Sequence, residues 1–84
     1  MKLELYYYDQ CPFCQMVLRS IQELGLRDSI EFKNTLTEQE NAKLHQQKTG
    51  RSTVPCLYID GNPLFESADI ITWLKSNKDK IHGS

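Results

Sequence analysis

The order of the first three patterned segments constrains the fold of this chain more than any other feature. Residues 2–8, KLELYYY, alternate with the period of two that is typical of a β-strand. From Phe13 to Leu24, apolar side chains recur every three or four positions, as in an amphipathic helix. Residues 29–34, SIEFKN, alternate again. The order strand, helix, strand predicts a βαβ unit with parallel strands and a right-handed crossover.

The ends of this helix carry their own signals. Pro12 suits a first helical turn, where a backbone N–H has no partner inside the helix. Gly25 followed by Leu26 fits a left-handed C-terminal cap. The sequence therefore predicts where the helix begins and where it ends.

The second half of the chain predicts two further helices and a hairpin. Thr37 and Glu40 have the spacing of a capping box, which predicts a polar helix to about Lys48 with Leu44 as its only sizeable apolar residue. An apolar run at residues 54–59, the turn Asp60-Gly61 and a short strand around Leu64 and Phe65 predict an antiparallel pair. Ser67 is predicted to cap a last helix, in which the following side chains form the buried stripe: Ile70, Ile71 and Leu74, flanked by Trp73. Residues 80–84 are expected to fray.

These elements predict an α/β fold with one four-stranded mixed sheet and about three helices on its two faces. A C-x-x-C motif, Cys11 to Cys14, follows the first strand, and in this position it is typical of the thioredoxin-like fold. The 84 residues make one domain, residues 1–84, near the lower size limit for a single hydrophobic core.

The composition argues against several classes of protein. With 39% hydrophobic residues, 25% charged residues and a net charge of -1, the chain has no basic patch that would indicate a nucleic-acid partner. No apolar run approaches the roughly 18 residues that span a membrane. We therefore expect a cytoplasmic protein. Its three cysteines are too few for the disulfide framework of a small secreted domain.

The two cysteines of the motif are candidates for thiol chemistry. A thiol at a helix N-terminus faces free N–H groups and the positive end of the helix dipole, and both favour the thiolate. We expect Cys11 to point outward and react, and Cys14, one turn further, to act as the resolving thiol. A structural disulfide and a zinc site are the alternatives. The disulfide would constrain little chain, and the other possible zinc ligands, Cys56, His45 and His82, lack finger spacing, so we predict no metal site.

The sequence resembles the glutaredoxins over essentially its whole length. Three motifs carry the resemblance: CPFC at 11–14, GRSTVPCLYIDG at 50–61 and FESADI at 65–70. The third motif is also similar to glutathione transferase N-terminal domains, in which a Glu-Ser pair at a helix start receives the γ-glutamyl end of glutathione. The chain departs from many glutaredoxins in two places. Tyr8 stands where they carry a lysine, and Glu66-Ser67 replaces a Gly-Gly pair.

The resemblance implies a glutathione site. Pro55 would be a cis-proline opposite the cysteines, and the backbone of Val54 would pair with the cysteinyl part of glutathione like one rung of a sheet. Ser67, Ala68 and Asp69 would bind the γ-glutamyl end, and Arg51 would lie near the glycine carboxylate. Phe13 and Thr53 complete the predicted binding residues.

The resemblance also implies an activity. It is that of a glutathione-dependent thiol–disulfide oxidoreductase, active in electron transport and cell redox homeostasis, that reduces protein disulfides or protein-glutathione mixed disulfides. Glutathione would be the reducing cosubstrate, no cofactor would be tightly bound, and the protein would act as a monomer. The alternatives are an electron donor served by a thioredoxin reductase, a dimer that holds an iron–sulfur cluster on Cys11 and glutathione, and a glutathione-binding module without turnover.

The remaining notable side chains receive structural roles. Cys56 is predicted to be a buried thiol outside the chemistry, and Trp73 to pack against the surface of the core. His45 and His82 are predicted to be solvated polar residues. Tyr6 and Tyr7 are expected to divide between the faces of the first strand, and Tyr8 to rim the substrate groove.

Overall fold

One mixed sheet of four strands organises the protein. A computed structural model describes residues 1–82, which contain these elements in chain order: β1 (Leu3–Tyr7), α1 (Pro12–Glu23), a short 3-10 turn (Arg27–Ser29), β2 (Glu31–Asn34), α2 (Gln39–Thr49), β3 (Cys56–Ile59), β4 (Asn62–Phe65) and α3 (Ser67–His82). The strand order is β2-β1-β3-β4. The pair β1 and β2 is parallel, whereas β3 runs antiparallel to both β1 and β4. The predicted thioredoxin-like architecture is confirmed.

Strand β1 is buried on both faces. Leu3 and Leu5 belong to the larger apolar cluster, to which α1 and α3 contribute the following residues: Val17, Ile21, Ile70, Leu74 and Ile81. Tyr6 belongs to a second cluster on the opposite face, together with Cys56 and Tyr58. Even Glu4 is only 7% exposed. The alternation in the sequence therefore separates two covered faces rather than a core face from a solvent face.

Both predicted ends of α1 are confirmed. Pro12 is the first helical residue and Cys11 precedes it as the N-cap. At the other end, Gly25 has φ 68, and the N–H groups of Gly25 and Leu26 donate to the carbonyls of Gln22 and Ile21 at 3.1 and 3.0 Å. These two bonds form a Schellman cap, which needs a residue that tolerates positive φ.

The hairpin between β3 and β4 has the predicted turn. Asp60 and Gly61 both have positive φ, 49 and 89, which matches the twist of a tight antiparallel pair. The Asp60 carboxylate also accepts a hydrogen bond from the Lys2 N–H at 2.7 Å. This bond ties the turn to the start of the central strand.

The capping box predicted for α2 is wrong. The helix begins at Gln39 after an N-cap at Glu38, which has no side-chain capping bond. Thr37 lies outside the helix, and its N–H donates to the Asn34 side-chain oxygen at 2.9 Å because a local Asx-type turn competes with the helix. Leu44, the one large apolar residue of α2, is 37% exposed.

Helix α3 begins differently from the prediction. Ser67 is the first helical residue rather than the cap, and Glu66 precedes it with φ 73 and accepts the Ile70 N–H at its carbonyl oxygen. The predicted buried stripe is confirmed, with Ile70 and Leu74 fully buried and Ile71 and Trp73 partly buried.

The expected fraying of the C-terminal residues is wrong for residues 80–82. The helix continues to His82, and Ile81 is only 3% exposed because it packs into the core. Residues 83–84 of that prediction lie outside the described residues. His82 is exposed, as predicted, and its Nε2 donates to the Leu24 carbonyl at 3.1 Å. Across residues 1–82, none of the helices has the length and apolar content to cross a membrane.

Candidate active site

Cys11 lies at the N-terminus of α1 and directs its sulfur toward the helix. The backbone is extended there, with φ -79 and ψ 119, and the Cys11 sulfur accepts the Cys14 N–H at 3.4 Å. This geometry places the sulfur at the positive end of the helix dipole. Only 6% of Cys11 is exposed, which is less than expected for an outward-pointing side chain, because the sulfur turns in to accept this bond.

Cys14 is fully buried. It is one of the three buried residues of α1, together with Val17 and Ile21. Burial raises the pKa of Cys14 to about 12, because the thiolate is poorly solvated there, while a backbone hydrogen bond at Tyr8 acts in the opposite direction. All three cysteines are free thiols. The two cysteines of the motif thus differ in position: Cys11 is the N-cap and keeps a small exposed fraction, whereas Cys14 has none.

A groove of about 210 Å³ brings together three separate segments of the chain. It is lined by Phe13 from α1, by Thr53, Val54 and Pro55 before β3, and by Glu66 and Ser67 at the start of α3. The peptide bond between Val54 and Pro55 is cis, as the resemblance to the glutaredoxins implied. Phe13 is 60% exposed and forms one wall. Five predicted binding residues therefore share one groove: Phe13, Thr53, Val54, Pro55 and Ser67.

A larger groove of about 420 Å³ lies on the other side of α1. Leu18, Arg27 and Phe32 are among its lining residues, and none of the three cysteines lines it. None of the three cysteines lines the smaller groove either. We assign the candidate site to the smaller groove because Phe13, which lies between Cys11 and Cys14 in the chain, forms one of its walls. Within residues 1–82, no group of three or more histidine, cysteine or acidic side chains is arranged to hold a metal ion.

The sequence and the fold both match known proteins. Residues 5–81 match the family described as glutathione S-transferase, N-terminal domain. The chain belongs to this family. A comparison of the sequence with curated proteins found no significant match.

Several solved glutathione transferases are similar to this chain. An epsilon-class enzyme from the housefly, Musca domestica, is 28% identical with a TM-score of 0.76, and the match covers 94% of this chain and 36% of that one. Isozyme E7 from Drosophila melanogaster is 30% identical with a TM-score of 0.73 over the same shares of the two chains, 94% and 36%. The trimeric transferase TDR1 of Leishmania is 29% identical with a TM-score of 0.73, at 90% and 17% coverage. The chain thus spans about a third or less of the length of each of these relatives.

Three predicted binding residues of the transferase-like domain do not line the groove. Ala68 and Asp69 follow Ser67 in the first turn of α3, and both are exposed. Arg51 is exposed too, and its guanidinium carbon lies 4.2 Å from the centroid of the Phe65 ring. The Arg51 side chain, which was expected near the glycine carboxylate of glutathione, therefore makes a cation–π contact with Phe65 instead.

Sequence reasoning missed one residue that lines the groove and misjudged the burial of a second residue. Glu66 lines the groove, and its only sequence signal was the Glu-Ser pair that resembles the transferases. His45 is 1% exposed rather than solvated, so that prediction is wrong. Asn41 and His45 are the buried residues of α2, and their spacing of four positions was the only sign that they share a face.

Cys56 is a buried thiol, as predicted. It is fully covered in β3, where it pairs with Tyr6 of β1 and Phe65 of β4. Burial raises the pKa of Cys56 to about 11. Tyr6 lies beside it, and its hydroxyl is the one buried side-chain polar atom without a hydrogen-bond partner in residues 1–82.

The raised pKa of the buried Cys56 thiol predicts how the free energy of unfolding depends on pH. The pKa of Cys56 in the folded domain, about 11, exceeds that of an exposed thiol, ~8.5, so the folded state holds this proton more tightly. The stabilisation is complete below pH ~8.5 and is lost as the pH rises toward 11. We expect the free energy of unfolding, measured by urea titration between pH 7 and 10.5, to fall over this range. A Cys56→Ala variant should show a shallower fall, and an unchanged slope would contradict the assignment.

Proposed function

We propose that this domain is a glutathione-dependent thiol–disulfide oxidoreductase in which Cys11 is the nucleophile and Cys14 the resolving thiol. The observation that carries the proposal is the position of the Cys11 sulfur at a helix N-terminus, two residues before Phe13, which lines the groove. Thiolate at such a position is favoured by the helix dipole and the free N–H groups. In this proposed function residues 1–84 act as one domain, and no cofactor is tightly bound.

The groove offers a distinct contact to each part of glutathione. The backbone of Val54 can pair with the cysteinyl residue as an added strand would. The free N–H groups at the start of α3, around Ser67 and Ala68, suit the γ-glutamyl carboxylate, and Asp69 can pair with the ammonium group. Arg51 can approach the glycine carboxylate from the Phe65 ring, where its charge is already held. The cysteinyl sulfur of glutathione would then lie toward Cys11.

The reaction would proceed by two thiol–disulfide exchanges. The Cys11 thiolate attacks the glutathione sulfur of a glutathionylated protein, the protein thiolate leaves and takes up a proton, and Cys11 is left in a mixed disulfide with glutathione. A second glutathione thiolate attacks this disulfide, releases oxidised glutathione and restores Cys11. Cys14 could instead attack the mixed disulfide, but the raised pKa of the Cys14 thiol makes its thiolate scarce at neutral pH. We therefore expect glutathionylated proteins to be better substrates than protein disulfides.

A second candidate function is favoured by the family match and by Glu66 and Ser67 in the groove. In this alternative the domain binds glutathione for transfer to an electrophile, by analogy with its structural relatives, which are glutathione S-transferases. Two assays on the same preparation of the protein distinguish the two candidate functions. Reduction of a glutathionylated peptide, coupled to glutathione reductase and NADPH, supports the oxidoreductase. Conjugation of glutathione to a chloronitroaromatic acceptor without peptide reduction would contradict it.

Removing the Ser67 hydroxyl should weaken glutathione binding. Ser67 lines the groove at the first turn of α3, where its hydroxyl can donate to the γ-glutamyl carboxylate beside the backbone N–H groups. Loss of this one hydrogen bond to a charged group should raise the KM for glutathione by about tenfold or more in the peptide assay. Ser76→Ala is the matched control, because Ser76 is an exposed residue later in the same helix. Equal KM values for Ser67→Ala and the control would place the γ-glutamyl site elsewhere.

A further inference from the structure

His45 is buried and lies within hydrogen-bond distance of Thr53, a residue that lines the groove. Its ring is stacked on Tyr6, with centroids 5.2 Å apart and an angle of 25°, and it meets the Tyr58 ring edge-on at 5.7 Å. A tilted contact to Phe65 at 5.9 Å completes the packing. An interior imidazole is costly unless both of its nitrogens are hydrogen-bonded. Both nitrogens of His45 have partners.

These partners determine which nitrogen carries the proton. Nε2 lies 2.8 Å from the Thr53 carbonyl oxygen, which can only accept, so Nε2 is the donor. Nδ1 lies 2.7 Å from the Tyr58 hydroxyl. The Tyr58 hydroxyl can both donate and accept, so it satisfies Nδ1. The ring therefore joins β3 to the segment that precedes it.

The Thr53 carbonyl belongs to the same peptide group as the Val54 N–H. The cis bond of the chain is the next one, between Val54 and Pro55, so the Thr53 to Val54 bond is trans and its C=O and N–H point in opposite directions. With the carbonyl directed at His45, the N–H is directed away from the histidine. Within residues 1–82, the Val54 N–H donates no backbone hydrogen bond, so it is free for a ligand in the groove that Val54 lines.

Few hydrogen bonds hold this segment in place, although Arg51 stacks on Phe65 and Val54 packs against the cluster of Tyr6, Cys56 and Tyr58. Arg51, Ser52 and Thr53 are all exposed. At its start the segment is tied to α2 by Thr49, whose hydroxyl accepts the Arg51 N–H at 3.1 Å and lies 2.9 Å from the His45 carbonyl. At its end, the bond from His45 Nε2 to the Thr53 carbonyl is the only hydrogen bond of the segment that is described within residues 1–82.

We propose that His45 is a positioning residue for glutathione: its Nε2–H holds the Thr53 carbonyl and thereby orients the Val54 N–H toward the cysteinyl part of the ligand. This inference rests on the proposed function, because it assumes that the groove binds glutathione. His45 touches neither the ligand nor the cysteines in this account. It acts through the Thr53 to Val54 peptide group, so its loss should change ligand affinity and leave thiol reactivity unchanged.

Four variants test the proposal. His45→Phe keeps a ring against Tyr6 and Tyr58 but has no donor for Thr53, and His45→Asn keeps polarity but is too short to reach the Thr53 carbonyl. His45→Gln has an amide donor at nearly the reach of Nε2 and should rescue. Tyr58→Phe removes only the bond to Nδ1. The ligand is S-methylglutathione, which cannot exchange with Cys11, and its Kd is measured by isothermal titration calorimetry.

The expected pattern is a Kd raised about tenfold by His45→Phe and His45→Asn, and changed less than about threefold by His45→Gln and Tyr58→Phe. The rate of alkylation of Cys11 by iodoacetamide should stay within about twofold of the unsubstituted protein in all four. Equal Kd values in all variants would overturn the proposal. Equal weakening by His45→Gln and His45→Phe would overturn it too, because packing rather than the Nε2 bond would then matter. If His45→Phe does not fold, the comparison of Kd between His45→Asn and His45→Gln tests the proposal instead.

A ligand-free measurement separates this inference from the proposed function. Amide hydrogen exchange and the NMR signal of the Val54 N–H report the orientation of the peptide group without glutathione. If the unsubstituted protein does not bind S-methylglutathione, the proposed function fails. A Val54 signal that is then displaced in His45→Asn and restored in His45→Gln would still support the positioning role, and an unmoved signal would overturn it.

Discussion

Replacing Cys11 with serine will lower the rate of glutathionylated-peptide reduction by at least about a thousandfold. A serine hydroxyl does not ionise at neutral pH and does not attack a disulfide. Neither of the other cysteines can replace Cys11, because Cys14 and Cys56 are both 0% exposed and burial raises the pKa of each thiol. The measurement is NADPH oxidation in the coupled assay, with the peptide concentration varied to separate kcat from KM.

The other two cysteines provide the controls for this result. Cys56→Ala should leave the rate within about twofold, because Cys56 lies in the sheet core outside the groove. Cys14→Ser should spare the reduction of glutathionylated peptide, which needs one thiol, but should abolish the reduction of protein disulfides that depends on the resolving thiol. A Cys11→Ser protein that retained a tenth of the rate would show that the nucleophile has been assigned to the wrong residue.

Leu5→Ala is expected to destabilise the domain by about 3 kcal/mol. Leu5 is fully buried at the centre of β1, between Phe32 of β2 and Leu57 of β3, and it belongs to the larger apolar cluster. Truncation there leaves a cavity that a sheet hydrogen-bonded on both sides closes poorly. A native domain has only ~5–15 kcal/mol of stability in total, so the loss is a large share. Urea unfolding, monitored by circular dichroism, measures it.

Leu36→Ala is the matched control for this substitution. The same atoms are removed, but Leu36 is 57% exposed and follows β2 in a turn, so the change in free energy should be below about 0.5 kcal/mol. If the two variants unfolded at the same urea concentration, β1 would not be the centre of the core. The comparison is independent of any activity, so it tests the fold apart from the proposed function.

Much of the candidate site could be predicted from short segments of sequence. Cys11 occupies the helix N-cap because Pro12 begins the helix, and both residues are neighbours in the chain. The Thr-Val-Pro segment and Ser67 were chosen by their resemblance to known motifs, and the fold brings them to one groove. The environment of each residue was not predictable. The turn of the Cys11 sulfur toward the Cys14 N–H and the stacking of Arg51 on Phe65 depend on competing contacts that have no sequence pattern.

The sequence by itself determined the elements whose signals are local: the period of β1, the period and the caps of α1, and the Asp60-Gly61 turn with its two positive φ angles. Such signals depend on neighbouring residues within one turn or one strand, so they survive without a folded context. Only the tertiary structure decided the burial of His45. Tyr6 and Thr53, which surround its ring, lie 39 and 8 positions away and meet it only when α2 packs on the sheet. Polar residues carry no hydrophobic periodicity, so their pairing becomes visible only once the chain is folded.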